Sequence, residues 1–401
     1  MANSLLTIDM ITREALRILS NKLVVTRVCN KQYDSSFAKS GAKIGSTLRI
    51  RKPDRMLVTD GATLVVQDES QQYTTLTAST QKHIGVAFSS AERTMSLDDY
   101  SKIILEPRVS QLAASIDYAV AAGVIQYIGQ SVGTPGTTPA TSAVLLSAQQ
   151  KLNEAAAPMN PRYCVVNPAA NAGLVEGMKG FFNPTGTISS QFKNGMMGEG
   201  VLGFDEVAMS QSIGSFTTGS RTNGTTSAAV TTEGATTIAL TGLGAAGTVL
   251  AGEVFTVSSC YAVNPQTRVS TGSLYQFVVL TGGTASGGGA LTVTVAPIYS
   301  ASQALATVDA LPGSGATVTF VGSASTAYPQ NLVFQEDAIT FATADLELLG
   351  AGVDSKRIVH DGISIRVSQG ADIVNDRNIC RLDVLFGYGV IRPELAVRLW
   401  G

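Results

Sequence analysis

The sequence predicts an α+β fold that is interrupted by an all-β module. Apolar residues recur at helical spacing near the N-terminus and again over residues 96–129, whereas β-branched runs dominate the C-terminal part. Over residues 214–325 the composition shifts to Thr, Ser, Gly, Ala and Val. This stretch keeps only five charged residues, namely Arg221, Glu233, Glu253, Arg268 and Asp309.

An amphipathic helix is predicted to open the chain, with Thr7 as its N-cap. Its apolar face comprises Ile8, Ile11, Ala15, Ile18 and Leu19. Residues 47–88 then favour a long two-stranded excursion, because they are rich in β-branched residues and are interrupted by Pro53 and Gly61. The strands have few apolar positions and no obvious partner in the chain. We therefore expect this hairpin to lie on another molecule.

A long helix is predicted over residues 96–129, which would span on the order of 50 Å. Ser96 and Asp99 have the spacing of a capping box, and the adjacent Asp98 compensates the helix dipole. Pro107 is expected to kink the helix or to begin its second segment. Helical spacing continues through Val109, Leu112, Ala113, Ile116, Val120, Gly123, Val124 and Tyr127. A Gly, Thr and Pro linker ends the helix.

The next elements alternate between helix and strand. A helix over residues 143–157 is stopped by Pro158, and "RYCVVNPAANAGLVEGM" predicts a strand followed by a helix that Asn167 caps and Pro168 begins. "GEGVLGFDEVAMSQSI", residues 198–213, predicts a glycine turn and a strand that carry no catalytic residue.

The low-charge stretch predicts about six strands in a small barrel. Its apolar runs are "TTIAL", "EVFTVSS", "YQFVVL", "LTVTVAPI" and "ATVTFV", and Gly-rich turns separate them. The α+β character resumes at "NLVFQEDAITFATADLEL", so the module looks like an insertion into one domain. The closing strands are expected in "GISIRVSQ", "NICRLDVLFGYGV" and "RPELAVRLW".

No motif predicts catalysis, a cofactor or a metal. The G-x-G-x-x-G match at residues 242–247 is followed by strand rather than helix, so it predicts a turn and not a dinucleotide site. The G-x-S-x-G match around Ser131 follows a helix and enters a linker, which is the wrong context for a hydrolase. His83 and His360 lack a carboxylate cluster and are expected at a surface or interface. Four scattered cysteines predict reduced, buried thiols: Cys29, Cys164, Cys260 and Cys380.

The charge pattern bears on partners. The net charge is −2, which argues against a general nucleic-acid binder, and charged residues make up only 14% of the chain, which favours a large interface. The single dense basic cluster comprises Arg49, Arg51, Lys52 and Arg55. It is either an electrostatic clasp on an acidic neighbouring subunit or a solvated strand edge, with nucleic acid a distant third. No signal peptide or membrane-spanning run is apparent.

Three passages carry a resemblance. They are "VVNPAANAGLVEGMKGFFNPTG", "GEGVLGFDEVAMSQSI" and "ICRLDVLFGYGVIRPELAVRL", and "VLAGEVFTVSSCYAVNPQT" also looks like the start of an inserted domain. With the element order they resemble the major capsid proteins of tailed phages, which have the Hong Kong 97-like fold. The likeness is closer to podovirus coat proteins of the P-twenty-two type, which carry an inserted β-barrel.

The resemblance implies a division of the chain. It comprises an N-terminal arm (1–40), an extended E-loop hairpin with P-domain strands (41–95), a P-domain spine helix (96–135), a first A-domain part (136–218), the inserted barrel (219–328), and a second A-domain part with C-terminal P-domain strands (329–401). It also implies a protein without catalytic activity or cofactor.

The resemblance also implies how the protein works in the virion. Hexamers and pentamers of the chain would form an icosahedral shell around double-stranded DNA. The shell would assemble in the cytoplasm of the host bacterium, and no membrane would be a partner. Because no charged propeptide-like segment precedes the arm, a separate scaffolding protein is expected, with a portal protein at one vertex. The alternatives are an encapsulin-type bacterial compartment and, on composition, a secreted β-rich adhesin.

Overall fold

The computed structural model describes residues 8–32, 46–64, 66–67, 71–89, 101–178, 197–350, 353–372 and 377–401. The α-helices in these ranges are α1 (Ile8–Lys22), α2 (Glu106–Ile125), α3 (Ser142–Glu154) and α4 (Pro168–Met178). A π-helical turn, Ser101–Leu105, directly precedes α2, and short 3₁₀ helices cover Thr26–Val28, Glu336–Ala338 and Pro393–Leu395.

The strands follow in chain order. The first eleven are β1 (Ser46–Arg51), β2 (Tyr73–Ala78), β3 (Thr80–Ser89), β4 (Ser131–Val132), β5 (Arg162–Val166), β6 (Gly198–Val201), β7 (Phe204–Met209), β8 (Ser215–Thr217), β9 (Gly224–Thr226), β10 (Ala235–Thr241) and β11 (Thr248–Val249). The others are β12 (Val254–Val263), β13 (Ser270–Thr281), β14 (Gly283–Thr284), β15 (Leu291–Ile298), β16 (Thr317–Phe320), β17 (Ala327–Gln335), β18 (Ile339–Ala344), β19 (Asp354–His360), β20 (Ile363–Asp372), β21 (Arg377–Val390) and β22 (Ala396–Trp400).

The chain divides into two compact units. Unit 1 comprises Met1–Ile50, Thr74–Val120 and Ile339–Gly389, and unit 2 comprises Arg51–Tyr73, Ala121–Ala338 and Val390–Gly401.

In unit 1, α1 confirms the amphipathic helix. Its buried side chains are Ile11, Thr12, Ala15, Leu16, Ile18 and Leu19, while the predicted cap Thr7 lies outside the described residues. The segment after α1 is fixed by the buried carboxylate of Asp117 on α2. This carboxylate accepts hydrogen bonds from the N–H groups of Val24 and Thr26 at 2.7 and 3.0 Å.

Helix α2 is shorter than the predicted helix. Ser96, Asp98 and Asp99 lie outside the described residues, and α2 ends at Ile125. The change from π to α hydrogen bonding falls next to Pro107, which has no N–H to donate into the preceding turn. Most of the predicted apolar positions are buried, but Tyr127 lies beyond the helix and is 49% exposed.

The sheet of unit 1 has the order β18-β21-β20-β19, and β3 pairs with β21. Strand β3 is antiparallel to β21 over its whole length, from Thr80 opposite Phe386 to Ser89 opposite Arg377. The expectation that residues 47–88 lack a partner in the chain is therefore wrong for β3. The partner lies some 300 positions away, beyond the reach of local sequence patterns.

Unit 2 contains a seven-stranded sheet of order β4-β22-β17-β5-β7-β6, with β8 also paired to β17. Strand β17 follows the low-charge stretch in the chain, yet it pairs with β5, which precedes that stretch. Asn167 caps α4 as predicted, because its side-chain oxygen accepts the N–H of Ala170 at 2.7 Å. The turn between β6 and β7 needs Gly203, which has φ +77°; a Cβ there would lie 2.2 Å from the side-chain amide of Gln149.

The predicted small barrel is present in unit 2. Strands β10-β15-β13-β12-β16-β9 close into a barrel, and β11 and β14 form a separate pair. Its core is aliphatic and aromatic, with the rings of Phe277 and Phe320 each centred 5.4 Å from the ring of Phe255. The five apolar runs all form barrel strands. The short β9 was missed because Gly224–Thr226 has no apolar residue.

Candidate intersubunit surface

The loop from residue 52 to residue 72, which joins β1 and β2, is the candidate site. At its root the N–H of Lys52 donates to the carbonyl of Gln72 at 2.8 Å. Further out, the side-chain amide of Gln67 binds both backbone groups of Leu57 across the loop, at 2.8 and 2.6 Å. None of the described residues between 52 and 72 belongs to a strand, so side chains help to hold the two legs together.

The loop presents apolar side chains to solvent. The exposed fractions are 92% for Val58, 85% for Leu64, 82% for Val66 and 49% for Met56. Four such residues on one loop of an isolated subunit form an apolar surface of the kind that marks protein contacts. No sequence pattern predicts this surface, because the basic residues of the same stretch are its most conspicuous feature.

The structure separates the four predicted contact residues into two pairs. Arg49 and Arg51 are exposed on β1, on either side of the buried Ile50, which agrees with their predicted common strand face. Lys52 and Arg55 lie at the root of the loop and line a cavity in unit 2. An intersubunit contact through any of these residues stays a prediction.

Arg55 already has a partner in its own subunit. Its Nη2 atom lies 3.2 Å from Oε1 of Glu394, and Arg392 Nε lies 3.3 Å from the same oxygen. The barrel also contacts the loop, because Arg268 Nη2 donates to the carbonyl of Met56 at 2.8 Å. No local signal identified Glu394 or Arg268, since each lies more than 200 positions from its loop partner.

Burial perturbs two titratable groups that line this cavity, Lys52 and Tyr275. Burial lowers the pKa of Lys52, an effect that Glu394 partly offsets and that Arg392 and Arg55 reinforce. Burial, followed by the charge of Glu394, raises the pKa of Tyr275 to about 12, so this phenol keeps its proton at neutral pH.

The motifs and residues that predict no catalysis or metal binding lie in ordinary structural positions. The hydroxyl of Ser131 accepts a hydrogen bond from Gln276 Nε2 at 3.0 Å. Residues 242–247 form the turn between β10 and β11. His83 and His360 are exposed, and the four cysteines are free and buried. Burial raises the pKa of Cys164 to about 12, which leaves this thiol protonated.

The described part of the chain holds neither a metal-binding cluster nor a membrane-spanning helix. It holds no group of three or more His, Cys, Asp or Glu side chains arranged to bind a metal ion. It also holds no helix that is both long and apolar enough to span a membrane.

Comparison with known proteins identifies a family over the full length of the chain. A family model described as "P22 coat protein - gene protein 5" matches residues 1–401. The chain is similar to a structure from Mycobacterium phage Che8, with a TM-score of 0.46 and 12% identity over 94% of this chain and 90% of that chain. It is also similar to a structure from Gordonia phage Cozz, with a TM-score of 0.40 and 12% identity over 92% and 86% of the two chains.

A third similar structure is a virus-like particle from Pyrococcus furiosus, with a TM-score of 0.39 and 9% identity over 98% of each chain. A search of curated proteins finds no match.

Proposed function

The chain belongs to the P22 coat protein family, and we propose that its hexamers and pentamers form an icosahedral shell around double-stranded DNA. As a member of this family it is a major capsid protein of the phage shell, located in the virion. Family membership does not favour an encapsulin-type compartment or a secreted adhesin.

The proposal includes the Hong Kong 97-like division of the chain. In it, α1 belongs to an N-terminal arm (1–40), the loop and its strands to the E-loop region (41–95), and α2 to a spine helix (96–135). The barrel is an insertion (219–328) between a first A-domain part (136–218) and a second A-domain part with the C-terminal P-domain strands (329–401). The pairing of β17 with β5 supports an insertion, because strands from both sides of the barrel share one sheet.

The observation that carries the assembly proposal is the exposed apolar surface of the loop. In a shell, a neighbouring subunit would cover Val58, Leu64 and Val66, and burial of apolar area is the main driving force of such association. Arg49 and Arg51 lie on the adjoining strand and would face acidic groups of the neighbour.

The other partners follow from the family alone. They are a separate scaffolding protein during assembly in the host cytoplasm, a portal protein at one vertex, and packaged DNA that the inner face contacts without sequence specificity. A net charge of −2 is compatible with loose contact to DNA. The proposal assigns no catalysis, since the hydroxyl of Ser131 is buried and hydrogen-bonded to Gln276.

The test reverses the charge of one strand face. Arg49→Glu/Arg51→Glu should leave the melting temperature nearly unchanged, because both side chains are exposed, but should reduce shell formation. Sedimentation velocity measures the amounts of free subunit and of assembled shell, under conditions in which the wild-type chain forms shells. Arg13→Glu/Lys102→Glu, which reverses two exposed charges outside the loop, is the matched control. Shells as abundant as those of the wild type would show that Arg49 and Arg51 are solvated edge charges.

A further inference from the structure

A cavity of about 240 Å³ lies at the root of the loop, entirely within unit 2. Its wall combines the loop root, the segment after α2, the end of α3, the barrel and the Pro393–Leu395 turn. Tyrosines from two of these elements, Tyr127, Tyr275 and Tyr299, contribute aromatic surface. A concave site with a few convergent polar groups on an apolar wall is the usual form of a small-molecule site.

The cavity carries a surplus of positive charge although the chain as a whole is slightly acidic. Four cationic side chains face two carboxylates in its lining, which leaves a surplus of two: Lys52, Arg55, Lys151 and Arg392 against Glu154 and Glu394. The net charge of the whole chain is −2. The surplus is therefore a property of this place in the fold rather than of the composition.

The ion pairs show where the surplus lies. Lys151 is matched by Glu154 at 3.7 Å, whereas Arg55 and Arg392 share the single carboxylate of Glu394. No hydrogen bond or ion pair within 4 Å joins the Lys52 ammonium to any residue that the structure describes. A half-buried ammonium without a carboxylate in contact is costly, and burial lowers the pKa of Lys52 although the charge of Glu394 offsets part of the effect.

Tyr275 adds a neutral donor beside these charges. Its ring packs edge-on against Phe277 at 4.7 Å, which fixes its orientation in the barrel wall. Because its pKa is raised to about 12, the phenol offers an O–H rather than a phenolate. Among the described residues, its hydroxyl has no hydrogen-bond partner. An ammonium, two arginines on one carboxylate and a phenol together favour an oxyanion.

We propose that this cavity is a binding site for an oxyanion, a carboxylate or phosphate group, which pairs with Lys52 and accepts a hydrogen bond from Tyr275. The oxyanion can belong to a free small molecule or to an acidic side chain of a second copy of this chain. The site is complete within one subunit, so binding of a free anion does not depend on shell assembly.

The test is calorimetric titration of the isolated chain with citrate and, separately, with inorganic phosphate. We expect saturable binding that Lys52→Gln weakens at least tenfold and Lys52→Arg largely retains. Lys102→Gln removes an exposed lysine outside the cavity and should leave the affinity unchanged. Thermal melts of each variant without anion confirm that the fold is intact.

A titration of assembled shells identifies the source of the oxyanion. If a neighbouring subunit supplies it, shells lose the Lys52-dependent citrate binding that the isolated chain shows. If a free anion is the occupant, shells keep that binding. The proposal is overturned if the isolated chain shows no saturable binding of either anion, or if Lys52→Gln binds as tightly as the wild type.

Discussion

At the scale of single residues, Asp383 shows how this fold accommodates a buried charge. It lies on β21 with a fully buried side chain, and it accepts hydrogen bonds from Arg366 at 2.8 Å, from Arg381 at 2.9 Å and from Gln81 at 3.1 Å. These partners lie on β20, β21 and β3. One carboxylate therefore links three adjacent strands of the unit 1 sheet through their side chains as well as their backbones.

This network predicts a dependence of stability on pH. Burial alone would raise the pKa of Asp383, but the hydrogen bonds from Arg366 and Arg381 outweigh it and lower the pKa below the ordinary value of 3.8. The stabilisation is therefore present above pH 3.8 and is lost as the pH falls through the lower folded-state pKa. Melting temperatures measured between pH 7 and pH 2 should fall less steeply in Asp383→Asn than in the wild type.

At neutral pH, Asp383→Asn should itself cost about 3–5 kcal/mol, because it leaves the Arg366 guanidinium nearly buried without a counter-ion. Asp361→Asn is the matched control, since its salt bridge to Lys31 at 2.9 Å is exposed on the carboxylate side. It should cost less than about 1 kcal/mol. Equal losses in the two variants would mean that burial of Asp383 adds nothing to the strength of its ion pairs.

Ser131 gives a second prediction for single residues. The side chain of Gln276 binds the Ser131 N–H at 2.7 Å, its carbonyl at 3.0 Å and its hydroxyl at 3.0 Å. Ser131→Ala removes one of these bonds and should cost about 0.5–1.5 kcal/mol. Gln276→Ala removes all three and should cost more, because it leaves two backbone groups unpaired. Urea unfolding gives both values.

Shell formation should persist in Ser131→Ala. Loss of shells by this variant with an intact fold would reopen an active role for Ser131.

Of these side-chain contacts, only those between residues close in the sequence could be predicted from it. Asn167 and its helix were predictable, because a cap and its acceptor lie within three positions. The partners of Asp383 and Arg55 were not, because Gln81 is 302 positions from Asp383 and Glu394 is 339 positions from Arg55. Alternation along a strand predicts which face a side chain takes, but not which distant strand supplies its partner.

At the scale of elements, the barrel closes through its own residues. Arg221 donates to the carbonyls of Gly322 and Val321 at 3.1 and 3.2 Å and lies 3.3 Å from Glu253. The Glu253 carboxylate also accepts the N–H groups of Gly219 at 2.8 Å and of Leu250 at 3.2 Å. The buried ion pair of Arg221 and Glu253 thereby connects the first and last residues of the barrel segment. This explains why the low-charge stretch keeps Arg221 and Glu253 among its five charged residues.

We expect a fragment of residues 219–325 to fold alone. It should give a β-type circular dichroism spectrum and a cooperative melt, because the barrel is closed and has its own core. Arg221→Gln should destabilise the fragment by about 3–5 kcal/mol, because it leaves the buried carboxylate of Glu253 without its counter-ion. Arg268→Gln, whose partner Met56 lies outside the fragment, should change its stability by less than about 0.5 kcal/mol. A random-coil spectrum at low temperature would refute autonomous folding.

At the scale of the whole molecule, the loop between β1 and β2 combines two kinds of contact. Near the root, two contacts are made within the subunit: Arg55 pairs with Glu394, and the carbonyl of Met56 accepts a hydrogen bond from Arg268. The outer part exposes apolar side chains that have no comparable partner among the described residues. The sequence predicted a loop that serves another molecule, but it assigned that role to the charges alone. The exposure of the apolar side chains in the loop could not be predicted, because it depends on which distant strands cover the other parts of residues 47–88.

Serine substitutions in the loop separate the apolar from the electrostatic contributions to assembly. Leu64→Ser/Val66→Ser replaces two side chains that are 85% and 82% exposed, so the melting temperature of the isolated subunit should hardly change. Assembly should weaken strongly, because each buried CH₂ group contributes about 0.8 kcal/mol and every subunit of the shell carries the change. Sedimentation velocity at a series of subunit concentrations measures the loss as a higher threshold for shell formation.

The control is Leu348→Ser/Leu349→Ser, which removes two exposed leucines outside the loop and should leave the threshold unchanged. The dependence of assembly on salt also distinguishes electrostatic from apolar contacts. Raising the ionic strength screens contacts of Arg49 and Arg51 but strengthens or leaves unchanged the burial of Leu64 and Val66. The defect of the Leu64→Ser/Val66→Ser chain should therefore persist at high salt, whereas the difference between the wild type and Arg49→Glu/Arg51→Glu should shrink. If the serine variant assembles at the wild-type threshold, the apolar surface of the loop is not an intersubunit contact.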